Sequence, residues 1–249
     1  MTLLRTDSLL PSVAIDCVVF GFHDNELKVL LLKLKNVDLW ALPGGFVQQQ
    51  VDLEMEAHNV LEIRTGLNDI FLKQFYTFGS IERNDPNHPH MLVDKKIIDR
   101  ELFDWFNQRF ISVGFYALVE YSLVKEPIPG PISEACEWCS VNDLPPLMLD
   151  HKHILETAYE TLKKELNNQP IGLNLLPKRF TIPELQSLYE TILGKKLDRR
   201  NFRRKIMSFD ILVSTNERRT GVAHKAPLLY EFDEEKYRKA NEAGLSSGW

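Results

Sequence analysis

Residues 42–67, LPGGFVQQQVDLEMEAHNVLEIRTGL, set a tight turn directly before a helix. Leu42-Pro43-Gly44-Gly45 is turn chemistry, because proline presets one dihedral and glycine accepts conformations that other residues avoid. From Leu53 the apolar residues Leu53, Ala57, Val60 and Leu61 recur at i, i+4, i+7 and i+8, the stripe of an amphipathic helix that Gly66 ends.

Strand-like runs surround this unit. Ala14 to Phe22 and Val29 to Leu34 are apolar-rich and flank Asn25, which predicts a hairpin. Phe110 to Val119 and Glu137 to Val141 read as further strands, and Leu144-Pro145-Pro146 ends the pattern. Between them, Asn84 to Gln108 is long for a connection: Asp85 to His90 has loop composition, and Lys95 to Phe106 predicts a short helix. A mixed α/β domain over residues 1–150 follows. Residues 151–169 then read as a linking helix, with Ile154, Leu155, Ala158, Leu162 and Leu166 along one side. Gln169-Pro170-Ile171-Gly172 is a hinge, and residues 170–249 form a second domain.

Charge separates the two parts. The chain has 249 residues and a net charge of -5, but residues 1–169 carry 15 Lys+Arg against 25 Asp+Glu, and residues 170–249 carry 15 against 10. A basic segment behind an acidic body is the footprint of a polyanion-binding module, or else a solvated face with chance clustering. No apolar run reaches the ~18 residues of a membrane span. The stretch from Val13 to Phe22 is short and interrupted by Asp16, so no signal peptide is expected. Three cysteines make no disulfide framework, so a reducing cytoplasm is the expected compartment.

The basic half has internal order. Thr181-Ile182-Pro183-Glu184 is a capping box, Leu185, Leu188, Tyr189 and Ile192 form a helical stripe, and Gly194 closes it. Asp198 is placed to cap a second helix whose buried stripe is Phe202, Ile206 and Phe209. Arg200 and Arg204 lie opposite that stripe, with Arg199 and Arg203 beside it. Two short helices joined by a tight turn, the second rich in arginine, fit a helix-turn-helix. Ile211 to Val213 and Leu228 to Phe232 then read as strands around a loop, Ser214 to Lys225, that carries Arg218, Arg219 and Lys225. That layout is a winged helix. Arg200, Asn201, Arg203 and Arg204, with Arg199 beside them, are candidates for groove contacts. Lys195, Lys196, Arg218, Arg219 and Lys225 are candidates for phosphate contacts.

Residues 42–67 resemble the Nudix box. Anchored on Gly45, Leu61, Gly66 and Leu67, the spacing matches that family's pattern without a gap. The functional positions depart from it. Val51 stands at the first glutamate, Asn59 at the arginine, and Val60, Ile63 and Arg64 at the three glutamates with which family members bind Mg²⁺ and activate water. Glu54, Glu56 and Glu62 do not rebuild that cluster. The resemblance therefore implies the Nudix fold without hydrolase chemistry, and no metal or cofactor is expected.

With a winged helix behind it, the chain resembles the Nudix-related transcriptional regulators, which include an ADP-ribose-responsive group (NrtR) and a sugar-responsive group (AraR). Pro170-Ile171-Gly172-Leu173-Asn174-Leu175-Leu176-Pro177-Lys178, Phe180-Thr181, Gln186-Ser187-Leu188-Tyr189-Glu190, Arg200-Asn201-Phe202-Arg203, Ile15-Asp16-Cys17, Gly21-Phe22 and Asp150-His151 carry the resemblance. The long Asn84 to Gln108 segment departs from it, since relatives have a short Asp-Pro turn there. The resemblance implies an α+β protein: a Nudix-like α/β/α sandwich, then a winged helix-turn-helix. It also implies a homodimer on double-stranded operator DNA and a small effector, either an arabinose-like sugar, toward which the similarity leans, or ADP-ribose. Position relative to the Nudix cleft makes Asp16, Lys33, Trp40, Gly45, Phe46, Glu82, Arg83 and His151 the effector-site candidates. The alternatives are a Nudix-type pyrophosphohydrolase with relocated carboxylates, and a protein-interaction module with an incidental basic face.

Cys136-x-x-Cys139 lacks the second pair of a zinc site, and on a strand the two sulfurs diverge. His88 and His90 with Asp85 are either a metal cluster or exposed loop residues.

Overall fold

Asp24 and Asn25 sit at positive φ (51° and 59°) between β1 (Leu9–His23) and β2 (Glu26–Leu34), so the hairpin expected around Asn25 forms. A computed structural model describes residues 6–68, 70–167, 169–219 and 226–243. Short strands β3 (Trp40–Ala41) and β4 (Gly44–Gln48) follow, and then α1 (Leu53–Thr65), which ends where the Gly66 N–H bonds Glu62 O at 2.8 Å.

Next come β5 (Phe71–Phe78), α2 (Asn87–Asp94), a 3₁₀ turn at Arg100–Leu102 that runs into α3 (Phe103–Phe106), β6 (Ile111–Val119) and β7 (Ser133–Ser140). These strands form one seven-stranded mixed sheet with the path β3-β2-β1-β6-β5, where β4 pairs β1 and β7 pairs β2. β1 runs parallel to β6 from Val13↔Ile111 to Gly21↔Val119.

The central strands are buried on both faces. Ile15, Cys17 and Val19 on β1, Leu30 and Leu32 on β2, and Val113, Phe115 and Ala117 on β6 pack with Ala57, Val60 and Leu61 of α1. The alternate residues Val18, Phe20, Val29, Leu31 and Tyr116 are buried as well. α4 (His151–Leu166) packs on the sheet too, with Tyr159 6.4 Å from Phe20 and His153 5.8 Å from Phe78, ring centre to ring centre. Helices on both sides of a sheet explain why its strands read as continuous apolar runs rather than alternating ones.

Two features of this half differ from expectation. Of the helix expected over Lys95 to Phe106 only the end forms, as the 3₁₀ turn and α3, since Lys96 at φ 55° interrupts its start; α2 lies before it, inside the loop-like stretch. Pro86 and Pro89 do not oppose α2, because first-turn N–H groups lack helical partners in any case, and the Asp85 carboxylate accepts the Asn87 N–H at 2.9 Å. The strand β5 had no counterpart in the sequence reading, for its half-exposed residues lack a clear period of two.

The second domain comprises β8 (Phe180–Thr181), α5 (Ile182–Leu193), α6 (Arg199–Ser208), β9 (Leu212–Arg218), β10 (Leu228–Phe232) and α7 (Glu234–Ala243), the last unexpected. Its three strands lie in the order β8-β10-β9. Leu185, Leu188, Tyr189, Ile192, Phe202 and Ile206 are buried, whereas Phe209 is only partly so. The capping box forms in full: Thr181 Oγ1 accepts the Glu184 N–H and Glu184 Oε2 accepts the Thr181 N–H. As compact units the chain divides into Met1–Gly21, Lys28–Val119 and Leu123–Tyr159 on one hand, and Phe22–Leu27, Glu120–Ser122 and Glu160–Trp249 on the other. No described helix is long and apolar enough to cross a membrane.

Candidate effector cavity and nucleic-acid interface

A cavity of about 430 Å³ opens in the first unit beside the turn at residues 42–45. β1 and β4 meet there so closely that a methyl group on Gly44 would lie 2.4 Å from Ile15 O, which is why glycine stands at this position. Among the effector candidates, Asp16, Gly45, Phe46, Arg83 and His151 line the cavity. Lys33, Trp40 and Glu82 do not. Leu32 and Leu34 face it, so the intervening Lys33 points away and its Nζ pairs with Glu134 Oε1 at 2.9 Å. Trp40 is held through its backbone by Pro146 and Met148, and Glu82 is exposed in a 3₁₀ turn.

The polar wall is a linked set of groups, with Asp16, Ser112 and His151 buried and Arg83 and Asp150 partly buried. Asp16 Oδ2 accepts Ser112 Oγ–H at 2.5 Å and lies 3.6 Å from Arg83 Nη2; Asp16 Oδ1 lies 3.6 Å from His151 Nε2. Arg83 Nε meets Asp150 Oδ2 at 2.6 Å, while its Nη1 donates to Phe78 O and Phe110 O. His151 Nδ1 accepts the Leu42 N–H at 2.9 Å, which turns the Nε2 edge toward Asp16. The turn before α1 and the first turn of α4 are thereby tied to one carboxylate.

The Asn84 to Gln108 segment supplies much of the opposite wall, including Asp85, His88, Asp99 and Phe106. Phe46 meets Trp105, Phe106 and Phe110 with ring centres 5.4, 5.6 and 5.1 Å apart. Of these residues only Phe46 was among the effector candidates, although the segment that carries most of the others, His88 included, stood out in the sequence by its length. His88 lies on α2, half-buried and lining the cavity rather than exposed in a loop, and that burial lowers its pKa. His90 stays exposed against Phe103. Arg64, at the last Nudix-box glutamate position, also lines the cavity. Among the described residues no cluster of three or more His, Cys, Asp or Glu is arranged to hold a metal. Burial pushes the Cys136 thiol up to about 12.

In the second unit, Asp198 accepts the Asn201 N–H at 2.9 Å and so caps α6. Arg199, Arg200, Asn201, Arg203 and Arg204 are all exposed on that helix. Arg204 Nη2 donates to Asn201 Oδ1 at 3.1 Å, and Arg203 Nη2 reaches Tyr230 OH at 3.3 Å. In the turn before α6, Lys195 and Lys196 are exposed, and Lys196 pairs with Glu190 at 2.9 Å. At the wing, Arg218 Nη1 donates to Ala226 O. Arg219 is engaged differently from Arg218, its Nη2 contacting both oxygens of Glu184 at 2.6 and 2.5 Å. Lys225 lies outside the described residues.

Residues 172–232 match the NrtR DNA-binding winged helix domain. Over 241 residues the chain is 29% identical to an ADPR responsive transcriptional repressor NtrR of Acinetobacter baylyi, covering 94% of this chain and 86% of that protein. The crystal structure of Shewanella oneidensis NrtR superposes with a TM-score of 0.73 at 27% identity, over 95% of this chain and 99% of that one. The same protein complexed with a 27mer DNA also gives 0.73, at 26% identity over the same shares. The chain thus resembles the NrtR-like Nudix-related transcriptional regulators over nearly its whole length, joining a Nudix-like α/β/α domain to a winged helix of the NrtR type.

Proposed function

We propose that this protein is a cytoplasmic DNA-binding transcriptional repressor whose Nudix-like domain senses ADP-ribose and does not hydrolyse it. The observation that carries the reading is the match of residues 172–232 to a DNA-binding winged helix, with its arginines exposed on a capped second helix. Arg200, Asn201, Arg203 and Arg204 read base edges, and Lys195, Lys196 and Arg218 hold phosphates. Arg219 joins them only by leaving Glu184. We keep the organisation as a sensing domain (1–150), a linking helix (151–169) and a DNA-binding domain (170–249), assembled as a homodimer on a two-fold operator.

ADP-ribose takes precedence over an arabinose-like sugar on two grounds. The relative aligned over most of the chain responds to ADPR. The cavity is also lined by Arg64, whose hydrogen-bond partners among the described residues are backbone carbonyls rather than carboxylates, so its charge suits an anionic ligand better than a neutral one. Asp16, Arg83 and His151 form its polar floor and Phe46 its aromatic side. A ligand regulates only by preferring one of two arrangements. His151 and Asp150, at the start of α4, give this one a handle on the linking helix.

The test is binding to promoter DNA from the protein's own genomic neighbourhood, with and without ADP-ribose or arabinose, at two salt concentrations. Tight, sequence-dependent binding that ADP-ribose weakens is the expected result. A response to arabinose alone would reassign the effector, and weak binding on every sequence would refute the repressor. Mg²⁺-dependent release of AMP from ADP-ribose would instead favour the hydrolase.

A further inference from the structure

Arg64 occupies the position at which the Nudix box carries its last metal-binding glutamate, and the structure has built a place for it. α1 brings the side chain to the cavity wall. Its backbone O accepts the Ile128 N–H at 2.9 Å, and its Nη1 donates to Pro129 O at 3.2 Å. Gly130 belongs to the same arrangement, since a methyl group there would lie 2.9 Å from Arg64 Nη2.

The guanidinium Nε is buried without a hydrogen-bond partner. Burial lowers the Arg64 pKa, so its charge is held at a cost that an anion would relieve. The partners it does have among the described residues are backbone carbonyls, not carboxylates. Arg83, the other cavity arginine, is already engaged by Asp150 and Asp16.

A divalent cation does not fit here. Val51, Val60 and Ile63 have no donor atoms in their side chains, and a guanidinium has no lone pair to give and repels a cation. It does provide positive charge and directed N–H groups matched to phosphate oxygens.

We propose that Arg64 takes the place of the metal and binds the diphosphate of the effector, so that nucleotide-sugar recognition by this protein is metal-independent. The proposal rests on ADP-ribose, or another diphosphate-bridged nucleotide sugar, being the effector.

Calorimetric titration of the full chain with ADP-ribose, and separately with inorganic pyrophosphate, in EDTA and in Mg²⁺, tests it. Wild type, Arg64→Gln and Arg64→Lys are compared, and effector-free DNA binding and the melting temperature report whether each variant is folded. The expected result is a wild-type Kd for ADP-ribose that changes less than twofold between EDTA and Mg²⁺. Arg64→Gln should weaken it about tenfold or more, as loss of a charged hydrogen bond does, with a smaller loss for Arg64→Lys. Undiminished affinity in Arg64→Gln, or wild-type binding that appears only with Mg²⁺, would overturn the role of Arg64 and leave the effector standing. Failure of wild type to bind either ligand in both buffers would overturn the effector reading together with the proposal.

Discussion

Gly44 and His88 show how much of the cavity depends on single residues. Any Cβ at residue 44 meets the Ile15 carbonyl at 2.4 Å, and backbone cannot step aside as a flexible side chain can. Gly44→Ala should therefore cost about 1–3 kcal/mol of stability, read as a lower midpoint in urea unfolding. His88 is a pH probe. Burial depresses its pKa in the folded state, so below the ordinary value of 6.5 the unfolded chain binds more protons than the native one. Its contribution is fully present above pH 6.5 and is lost as the pH falls toward the folded value. Unfolding midpoints measured between pH 7.5 and 5 should decline less steeply in His88→Gln than in wild type. An unchanged slope would mean that the ring is not held neutral.

At the scale of the element, capping decides whether the short helices of the winged domain hold. α6 has only ten residues, too few to be stable by propensity alone. Phe202 and Ile206 anchor one face, and the Asp198 carboxylate satisfies the Asn201 N–H at its start. Asp198→Ala should cost about 1 kcal/mol and loosen the first turn, which carries Arg199, Arg200 and Asn201. Circular dichroism melts would show the loss of stability, and the repressor reading adds weaker operator binding. The cap was legible in the sequence because it is local: Asp198 and the orphan N–H groups it serves are three residues apart. α2 was not legible, because a proline-containing stretch counts as loop until the carboxylate of Asp85 and the burial of Pro89 and Leu92 are known.

Across the whole molecule, electrostatics separates two kinds of DNA contact. Replacing a phosphate-binding lysine should weaken every sequence alike and reduce the salt slope of log K by about one. Replacing a base-reading arginine should relax sequence preference at a cost of about 1–3 kcal/mol. Lys195→Ala is expected to behave in the first way and Arg200→Ala in the second, in competition titrations at several salt concentrations. The reverse pattern would reassign the two residues. The acidic first domain and basic second domain, visible as a charge count, are the reason for placing such variants in residues 170–249.

The sequence by itself determined the order of the domains, the hairpin at Asn25, the turn and helix at residues 42–66, and the capped pair of helices that follows Phe180. All of these rest on short-range rules of spacing, turn chemistry and capping, which act between near neighbours in the chain. Only the tertiary structure decided which candidates share the cavity. Lys33 stands directly between Leu32 and Leu34 and faces away from the cavity they line, because successive residues of a strand point to opposite sides. Arg64 comes to the cavity from α1, His88 and Phe106 come from the Asn84 to Gln108 segment, and Arg83 meets Asp16 and Asp150 across 67 residues on either side. Contacts of that span depend on how the sheet closes against its helices, and no local pattern records them.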